Sequence, residues 1–492
     1  MPDIAIIGAG FSGLGTAIRL RQQGIDDFVV LERHEDVGGT WWANTYPGCA
    51  CDVPSHLYSL SFAPNPEWTQ TYSPQPEIRA YLQRLAREHD LYRSIRVGTT
   101  VTAADWDDDA GRWHLATSAG PISARVLIAG MGSLAEPRLP DLPGLETFEG
   151  AVFHSARWNH AHDVSGERVA AIGTGASAIQ FVPAIQPTVA ALHVFQRTAP
   201  WVVPHTNRRI SRAERRLYGR VPALQKAIRA GIYATRELLV LGFVKEPRLM
   251  RIPERLARRH MREQLSDPDL RARVTPDYTI GCKRILPSNQ WYPALAQPNV
   301  ELVTSPIREV RARSLVTADG SVRPVDTIIF GTGFHVTDIP IADRIRGRDG
   351  QTLSQTWGGT PAAYKGSAVA GYPNLFFLVG PNTGLGHNSI VFMIEAQIEY
   401  LTGALRALTR NGARTLEVRP EAQAAYNVEI DRMTDGTVWV SGGCKSWYID
   451  ANGHNSTLWP TFTWPFRQRL REFDVAAYAL GAAAPEPVAL AA

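Results

Sequence analysis

Two glycine-rich loops, each placed directly after a short apolar run, constrain this chain more than any other feature. The first follows the run 4–7 and is formed by Gly8, Gly10, Phe11, Ser12 and Gly13. A helical pattern covers 14–23, and a second strand, 27–31, ends at Glu32, about 20 residues beyond the loop. A strand, a glycine turn, a helix and an acid at this spacing predict a dinucleotide-binding Rossmann unit.

Each glycine of this loop meets a physical need. Gly8 allows the tight turn, Gly10 lets the backbone approach a pyrophosphate, and Gly13 lets the helix pack closely on the strand. The helix N-terminus then favours the negative charge of the phosphates.

The arrangement recurs after the apolar run 169–172. The second loop is formed by Gly173, Thr174, Gly175, Ala176 and Ser177, and a helical pattern follows through 184. No acid ends the next strand, 191–195, which instead leads to Arg197 and Thr198. An arginine there suits a 2′-phosphate and predicts NADP(H), although a surface arginine would look the same. Two sites of different charge preference indicate two different dinucleotides.

Two apolar runs, 126–132 and 326–334, end in close glycines and bracket the second unit. We therefore expect an α/β fold in which a nicotinamide domain is inserted into a discontinuous FAD domain. The predicted boundaries are 1–145 and 331–480 for the FAD-binding domain with its C-terminal covering loops, 146–206 and 283–330 for the NADPH-binding domain, 207–282 for a helical insertion and 481–492 for a disordered tail. The strand 375–379 should bring a loop with Asn382 near the flavin.

Composition excludes several classes of protein. The chain has 492 residues, 44% of them hydrophobic and 20% charged, and a net charge of +4, so a polyanionic partner such as nucleic acid is not indicated. No secretion signal precedes Ile4, and no apolar run reaches the roughly 18–20 residues of a membrane span. Only Cys49 and Cys51 are close among four cysteines, which argues against a disulfide framework or a zinc site and for the cytoplasm.

The predicted insertion is strongly basic. Residues 207–273 contain 18 Arg or Lys against 7 Asp or Glu, a local charge of +11, and 238–244 is an apolar run. A contact with a membrane surface or a partner is one interpretation. A helical subdomain with one buried stripe and a solvated charged face is the other, and we favour it.

The segment between the two predicted domains carries a family motif. Phe148, Gly150, His154 and Trp158 form the pattern F-x-G-x-x-x-H-x-x-x-W directly before the second loop. This resembles the fingerprint of the type I Baeyer–Villiger monooxygenases, within the flavin-containing monooxygenases. That family has Pro or Asp after the tryptophan, whereas this chain has Asn159.

Three further segments extend the resemblance over nearly the whole chain. Gly39, Thr40, Trp41 and Tyr46 lead to Asp52 as in the family's segment beside the flavin. The run 282–284 resembles the stretch that supplies the active-site arginine, here Arg284. The run 446–448 resembles a C-terminal loop whose tryptophan, here Trp447, contacts the nicotinamide cofactor.

The resemblance implies an enzyme that uses FAD, NADPH and O2 to insert an oxygen atom beside a ketone carbonyl, with sulfoxidation as an accompanying activity. A deprotonated C(4a)-peroxyflavin would need a fixed cation, which Arg284 supplies and Asp52 holds in place. Lys283 would reach the 2′-phosphate beside Arg197, and Trp447 would touch the ribose. Each of these residues also has a purely structural alternative: an exposed salt bridge for Arg284, ordinary packing for Trp447, and a histidine with its hydrogen bonds satisfied for His154. In the functional interpretation, we expect His154 to couple the position of the domains to the cofactor cycle.

Other functions compete with this one. A flavin-containing N- or S-oxygenase attacks a soft nucleophile, an uncoupled NADPH oxidase releases hydrogen peroxide, and a nucleotide-binding sensor has no substrate. A disulfide reductase is disfavoured because one residue between Cys49 and Cys51 gives poor geometry for a redox bridge. The sequence leaves open which ketone is used and whether the protein is a monomer or a homodimer.

Overall fold

The computed structural model describes residues 2–481, in which two parallel five-stranded sheets carry the two predicted loops. In spatial order, the strands of the first sheet are Leu375–Phe377, Val126–Ala129, Ile4–Ile7, Phe28–Leu31 and Ile95–Arg96. Those of the second sheet are Val300–Val303, Ala191–Phe195, Arg168–Ile172, Thr327–Phe330 and Ala151–His154. In both sheets the strand that precedes the glycine loop is central, as expected of a Rossmann unit. The predicted α/β class with two Rossmann-type sheets is confirmed.

Smaller antiparallel and two-stranded sheets extend the two units. The four-stranded sheet contains Ile345–Arg346, Val101–Asp107, Arg112–Thr117 and Ile122–Ala124, and the three-stranded sheet contains Ile307–Arg311, Ser314–Thr317 and Val322–Pro324. The two-stranded sheets pair Val202–Val203 with Leu286–Pro287, and Thr415–Val418 with Tyr478–Gly481.

Fourteen α-helices occur among the described residues. They are Phe11–Gln22, Thr40–Ala43, Gln75–Glu88, Ala178–Ile185, Arg212–Arg220, Pro222–Glu237, Arg251–Gln264, Pro268–Arg273, Trp291–Leu295, Leu353–Trp357, Ile390–Arg410, Pro420–Thr434, Val438–Ser441 and Thr463–Leu470. Within 2–481, none of them combines the length and apolar character needed to cross a membrane.

The first helix begins inside the glycine loop, at Phe11, so the loop residues themselves form its first turn. It packs on the long helix Ile390–Arg410, where a Cβ added at Gly15 would lie 3.0 Å from the Cδ1 atom of Ile398. The strand predicted over 375–379 stops at Phe377 because Val379 adopts a left-handed backbone with φ +61°. Of the predicted disordered tail, 481–492, Gly481 instead ends the strand Tyr478–Gly481, and 482–492 lie outside the described residues.

Candidate functional site

The first loop is shaped to approach a phosphate. A Cβ at Gly13 would lie 1.8 Å from the carbonyl oxygen of Gly8, so a side chain there would prevent the helix from packing on the strand. Gly8 itself has φ +94°, a conformation that favours glycine. A Cβ at Gly10 would meet Gly39 at 3.5 Å, which shows that the turn before Thr40 abuts the loop. These approaches fit a dinucleotide pyrophosphate.

Glu32 is buried against the backbone of the same loop. Its Oε2 accepts a hydrogen bond from the Ala9 amide at 2.7 Å, and its Oε1 accepts one from the His34 amide at 2.9 Å. Phe11 and Ser12 are buried in the first turn of the helix that follows the loop. The acid therefore lies at the loop, where the fingerprint requires it.

The segment that leads to Asp52 connects the two Rossmann units. The Tyr46 hydroxyl donates to Oε1 of Gln180 at 2.9 Å, and the Gln180 amide donates to the Ala50 carbonyl at 3.1 Å. Gln180 belongs to the helix Ala178–Ile185 of the second unit. Trp41 anchors the start of the segment by donating its indole N–H to the Tyr58 hydroxyl. As a result, Asp52 lies at the junction of the two units.

Arg284 and Asp52 form a two-point ion pair, although 232 residues separate them. The arginine Nε donates to Oδ2 at 2.5 Å and Nη2 donates to Oδ1 at 2.6 Å, while Nη1 donates to the Leu385 carbonyl at 3.3 Å. Burial alone would raise the pKa of Asp52, but the charge and hydrogen bonds of Arg284 outweigh it and lower that pKa. Burial likewise acts to lower the pKa of Arg284, and Asp52 reverses this, so both groups are charged.

Three buried side chains in this region, within the described part of the chain, each have one polar atom without a hydrogen-bond partner. They are Tyr448 with its hydroxyl, Trp439 with its indole N–H and His387 with its Nδ1. Burial raises the pKa of Tyr448 to about 12, with the charge of Arg284 acting in the opposite direction. Phe243 stacks on Trp439 with ring centroids 5.8 Å apart. The sequence analysis assigned no role to these three residues. The one hint in the sequence was that Tyr448 directly follows Trp447, which lies in a family motif.

The C-terminus of the helix Pro222–Glu237 is fixed to the same region by a buried carboxylate. Glu237 accepts hydrogen bonds from His387 at 3.3 Å, from Asn388 at 2.6 Å and from the Thr463 hydroxyl at 2.8 Å. These bonds outweigh burial and lower the pKa of Glu237. The helical region is therefore attached next to Leu385, the residue whose carbonyl receives Arg284.

Positively charged side chains lie near the second loop, where the strand Ala191–Phe195 ends. The Thr174 hydroxyl donates to the Thr198 carbonyl at 3.1 Å, while Gly175 and Ala176 are exposed and Ser177 is half-buried. The Lys283 ammonium lies 5.0 Å from the ring centroid of Tyr278, and its pKa is lowered by burial and then by the charge of Arg197. The two side chains repel each other, and a bound phosphate would offset that repulsion.

The motif residues before the second loop position its sheet. A Cβ at Gly150 would lie 2.1 Å from the Asp326 carbonyl oxygen, so only glycine lets the strand Ala151–His154 pair with its neighbour. Phe148 packs in the small core beside it. Trp158 packs on Phe181, with ring centroids 5.7 Å apart.

His154 is buried, and its Nδ1 accepts a hydrogen bond from the Ala156 amide at 3.1 Å. Burial lowers its pKa to about 4, so the ring is neutral near pH 7. The ring also packs edge-on against Phe334, with centroids 5.7 Å apart, where the chain leaves the second sheet. These contacts suit a positioning role and not proton transfer.

Two further predicted cofactor-binding residues, Asn382 and Trp447, lie in loops of the C-terminal half of the chain. The Asn382 side-chain amide donates to the Asn455 carbonyl at 2.6 Å, so that amide ties two loops together. Trp447 is 44% exposed and packs on Tyr448 with ring centroids 4.4 Å apart. Trp447 thus lies at the surface, and its neighbour Tyr448 is the residue beside Arg284.

Cysteine spacing argued against a disulfide framework, but the structure pairs Cys282 with Cys444, 162 residues apart. Such a separation leaves no local sequence signal. The bond joins the residue before Lys283 to the loop that carries Trp447, and the Thr279 amide also donates to the Gly442 carbonyl at 3.0 Å. Because disulfides are rare in the reducing cytosol, the pairing removes one reason for expecting the cytoplasm. Cys49 and Cys51 are buried free thiols.

Comparison with known proteins identifies the family. Residues 5–227 match the family model described as pyridine nucleotide-disulphide oxidoreductase. The chain is 52% identical over 486 residues to a Baeyer–Villiger monooxygenase of Streptomyces coelicolor, covering 99% of this chain and 94% of that protein. It is 53% identical over 479 residues to a Baeyer–Villiger monooxygenase of Pseudomonas aeruginosa, covering 97% and 91%.

A solved structure shares the architecture as well. Cyclohexanone monooxygenase from Rhodococcus sp. Phi1, bound to NADP+, superposes with a TM-score of 0.87 at 29% sequence identity, covering 98% of this chain and 100% of that one. The motif from Phe148 to Trp158 and the two loops therefore indicated the correct family, and the chain belongs to the Baeyer–Villiger monooxygenases.

Proposed function

We propose that this protein, an NADPH-dependent flavoprotein monooxygenase by family, inserts one atom of O2 next to a ketone carbonyl and gives an ester or a lactone. The second oxygen atom leaves as water and NADPH is oxidised. The observation that carries the proposal is the two-point pair of Arg284 and Asp52 at the junction of the two Rossmann units.

The residues around the loops fit both cofactors. We assign the first loop, with Glu32, to FAD, and the second loop, with Arg197 and Lys283, to NADPH. This assignment gives the domain boundaries, which are 1–145 and 331–480 for the FAD-binding domain, 146–206 and 283–330 for the NADPH-binding domain, and 207–282 for the helical insertion. Bound FAD, once reduced, supplies the activation of oxygen.

Arg284 provides a permanent positive charge for the reacting oxygen atoms. A guanidinium has five N–H donors, and three of those of Arg284 are used by Asp52 and Leu385. The remaining donors on Nη1 and Nη2 can bind negative charge that develops on the carbonyl oxygen of the ketone. Asp52 holds the guanidinium plane, so little reorganisation accompanies the reaction.

A substrate panel tests this function against its competitors. Purified protein should be assayed with cyclic and linear ketones, amines and sulfides, with products identified by mass. We expect an ester or lactone 16 mass units heavier than at least one ketone, as insertion of one oxygen atom requires. Sulfoxide or N-oxide with no ester from any ketone would support an N- or S-oxygenase. Hydrogen peroxide equal to the NADPH consumed with every compound would support an oxidase.

The disulfide should hold the Trp447 loop against the Arg284 segment. For Cys444→Ser we expect a Tm lower by about 5 °C, since a lost disulfide typically costs about 2–4 kcal/mol. We also expect several-fold more hydrogen peroxide per NADPH, because a loose loop admits water. Calorimetry and a peroxide assay measure the two effects. Dithiothreitol should reproduce both in the wild-type protein and change nothing in the variant, whereas a variant with the wild-type Tm and peroxide ratio would contradict the role.

A further inference from the structure

The outer face of the segment 238–256 presents large aliphatic side chains to solvent. Leu238 is 63% exposed, Ile252 is 65% exposed and Leu256 is 49% exposed. Leu239, Leu241 and Leu249 of the same segment are also exposed. A single exposed leucine is ordinary, but six within one short segment form the kind of surface that marks a binding site. We call these six residues the aliphatic patch.

Packing of neighbouring turns brings members of the patch together. The turns Leu241–Lys245 and Pro247–Met250 pack together, and a Cβ added at Gly242 would lie 3.7 Å from the Cβ of Leu249. Ile252 and Leu256 follow on the helix Arg251–Gln264, where a spacing of four residues places them on one face. The buried residues Ala257 and Met261 of this helix lie away from that face, and His260, at its edge, is buried against the Ser288 carbonyl.

Cations surround the patch. Lys245, Arg248, Arg251, Arg255 and Arg259 are all exposed. The nearby acids are already paired: Glu254 with Arg258 at 2.9 Å and Glu263 with Arg259 at 2.6 Å, while Glu246 lies 3.9 Å from Arg248. Among residues 2–481, Lys245, Arg251 and Arg255 form no ion pair. The surface therefore combines unpaired positive charge with apolar side chains.

We propose that the aliphatic patch docks on an anionic lipid surface. Leucine and isoleucine side chains would enter the boundary between headgroups and acyl chains, and the lysine and arginine side chains around them would contact the anionic headgroups. Charge disfavours a second copy of the chain as the occupant, since a two-fold interface would bring the same cations together. From the sequence we favoured a helical region with a buried apolar stripe and a solvated charged face. On this side of the helical region, large apolar side chains are exposed as well.

The inner side of the same segment faces the site. Phe243 and Met250 are buried in one cluster with Trp439 and Tyr448. A ketone dissolved in the lipid would thus meet the protein next to Arg284, a consequence that rests on the proposed function. Binding to lipid itself does not depend on that function and can be measured without turnover.

The test is cosedimentation of the FAD-loaded protein with sucrose-loaded vesicles. Vesicles of phosphatidylcholine alone are compared with vesicles that also contain phosphatidylglycerol, at roughly physiological ionic strength. The patch variant is Leu238→Ser, Ile252→Ser and Leu256→Ser, and the charge variant is Lys245→Gln, Arg251→Gln and Arg255→Gln. The matched control, Leu139→Ser, Val322→Ser and Val428→Ser, replaces residues that are 54%, 52% and 48% exposed elsewhere.

We expect the wild-type and control proteins to bind the anionic vesicles at least about tenfold more strongly than the neutral ones, and both test variants to lose at least about tenfold in binding. Wild-type protein that stays in the supernatant, or a patch variant that binds as well as the control, would overturn the proposal. Sedimentation velocity without vesicles gives a further check. A wild-type dimer that becomes a monomer only in the patch variant would show that a second copy covers the patch.

Discussion

Arg284→Ala should lower ester formation by at least about 10³-fold while NADPH still reduces the bound FAD at close to the wild-type rate. Alanine removes the cation that Asp52 holds in two-point geometry and leaves that carboxylate without this partner. Negative charge on the reacting oxygen atoms then has no fixed donor, and the consumed NADPH should yield hydrogen peroxide instead of ester. Stopped-flow reduction, peroxide release and product mass separate these steps.

Two further variants sharpen this result. Arg284→Lys keeps one charge but cannot form the two-point pair with Asp52, so it should recover only a small part of the lost activity. Arg157→Ala removes an arginine whose side chain is 72% exposed and should leave all three measurements unchanged. Near wild-type ester formation by Arg284→Ala would show that the charge comes from another group.

Several strands of the two Rossmann units could be predicted because they are apolar runs, and the runs before the two loops end at glycine. The runs 4–7 and 191–195 coincide with strands of the structure, and 169–172 extends by one residue to Arg168. The strand ending at Phe377 was predicted too long since nothing in an apolar run announces the left-handed backbone of Val379. Periodicity reports burial, whereas strand ends depend on backbone dihedral angles set by tertiary contacts.

The candidate site also contains residues that the sequence predicts and residues that it does not. Asp52 and Arg284 lie in recognisable motifs, and the structure brings them together. Tyr448 and the Cys282–Cys444 disulfide depend on contacts between distant segments, for which a single sequence gives no signal. From the sequence we favoured a buried stripe over a surface contact for the apolar run 238–244, and only the packing shows that its leucine side chains are exposed.

Arg197→Ala and Lys283→Ala should each raise the KM for NADPH by roughly 10- to 100-fold, the effect of losing a hydrogen bond to a charged phosphate. The KM for NADH should change far less, because NADH lacks the 2′-phosphate. The double variant should lose most of the preference for NADPH. Steady-state kinetics with both cofactors and one fixed ketone measure the change. Equal effects on NADPH and NADH would place these cations away from the 2′-phosphate.

The pH dependence separates Lys283 from Arg197. Burial and the charge of Arg197 lower the pKa of Lys283, so in the free protein its ammonium loses the proton at a lower pH than an ordinary lysine. Because kcat/KM reports the free enzyme, kcat/KM for NADPH should fall as the pH rises through this lowered pKa. The profile with NADH should lack the fall. Lys283→Arg should remove it with NADPH as well, since a guanidinium stays charged over the accessible range. An unchanged alkaline limb in Lys283→Arg would assign the fall to another group.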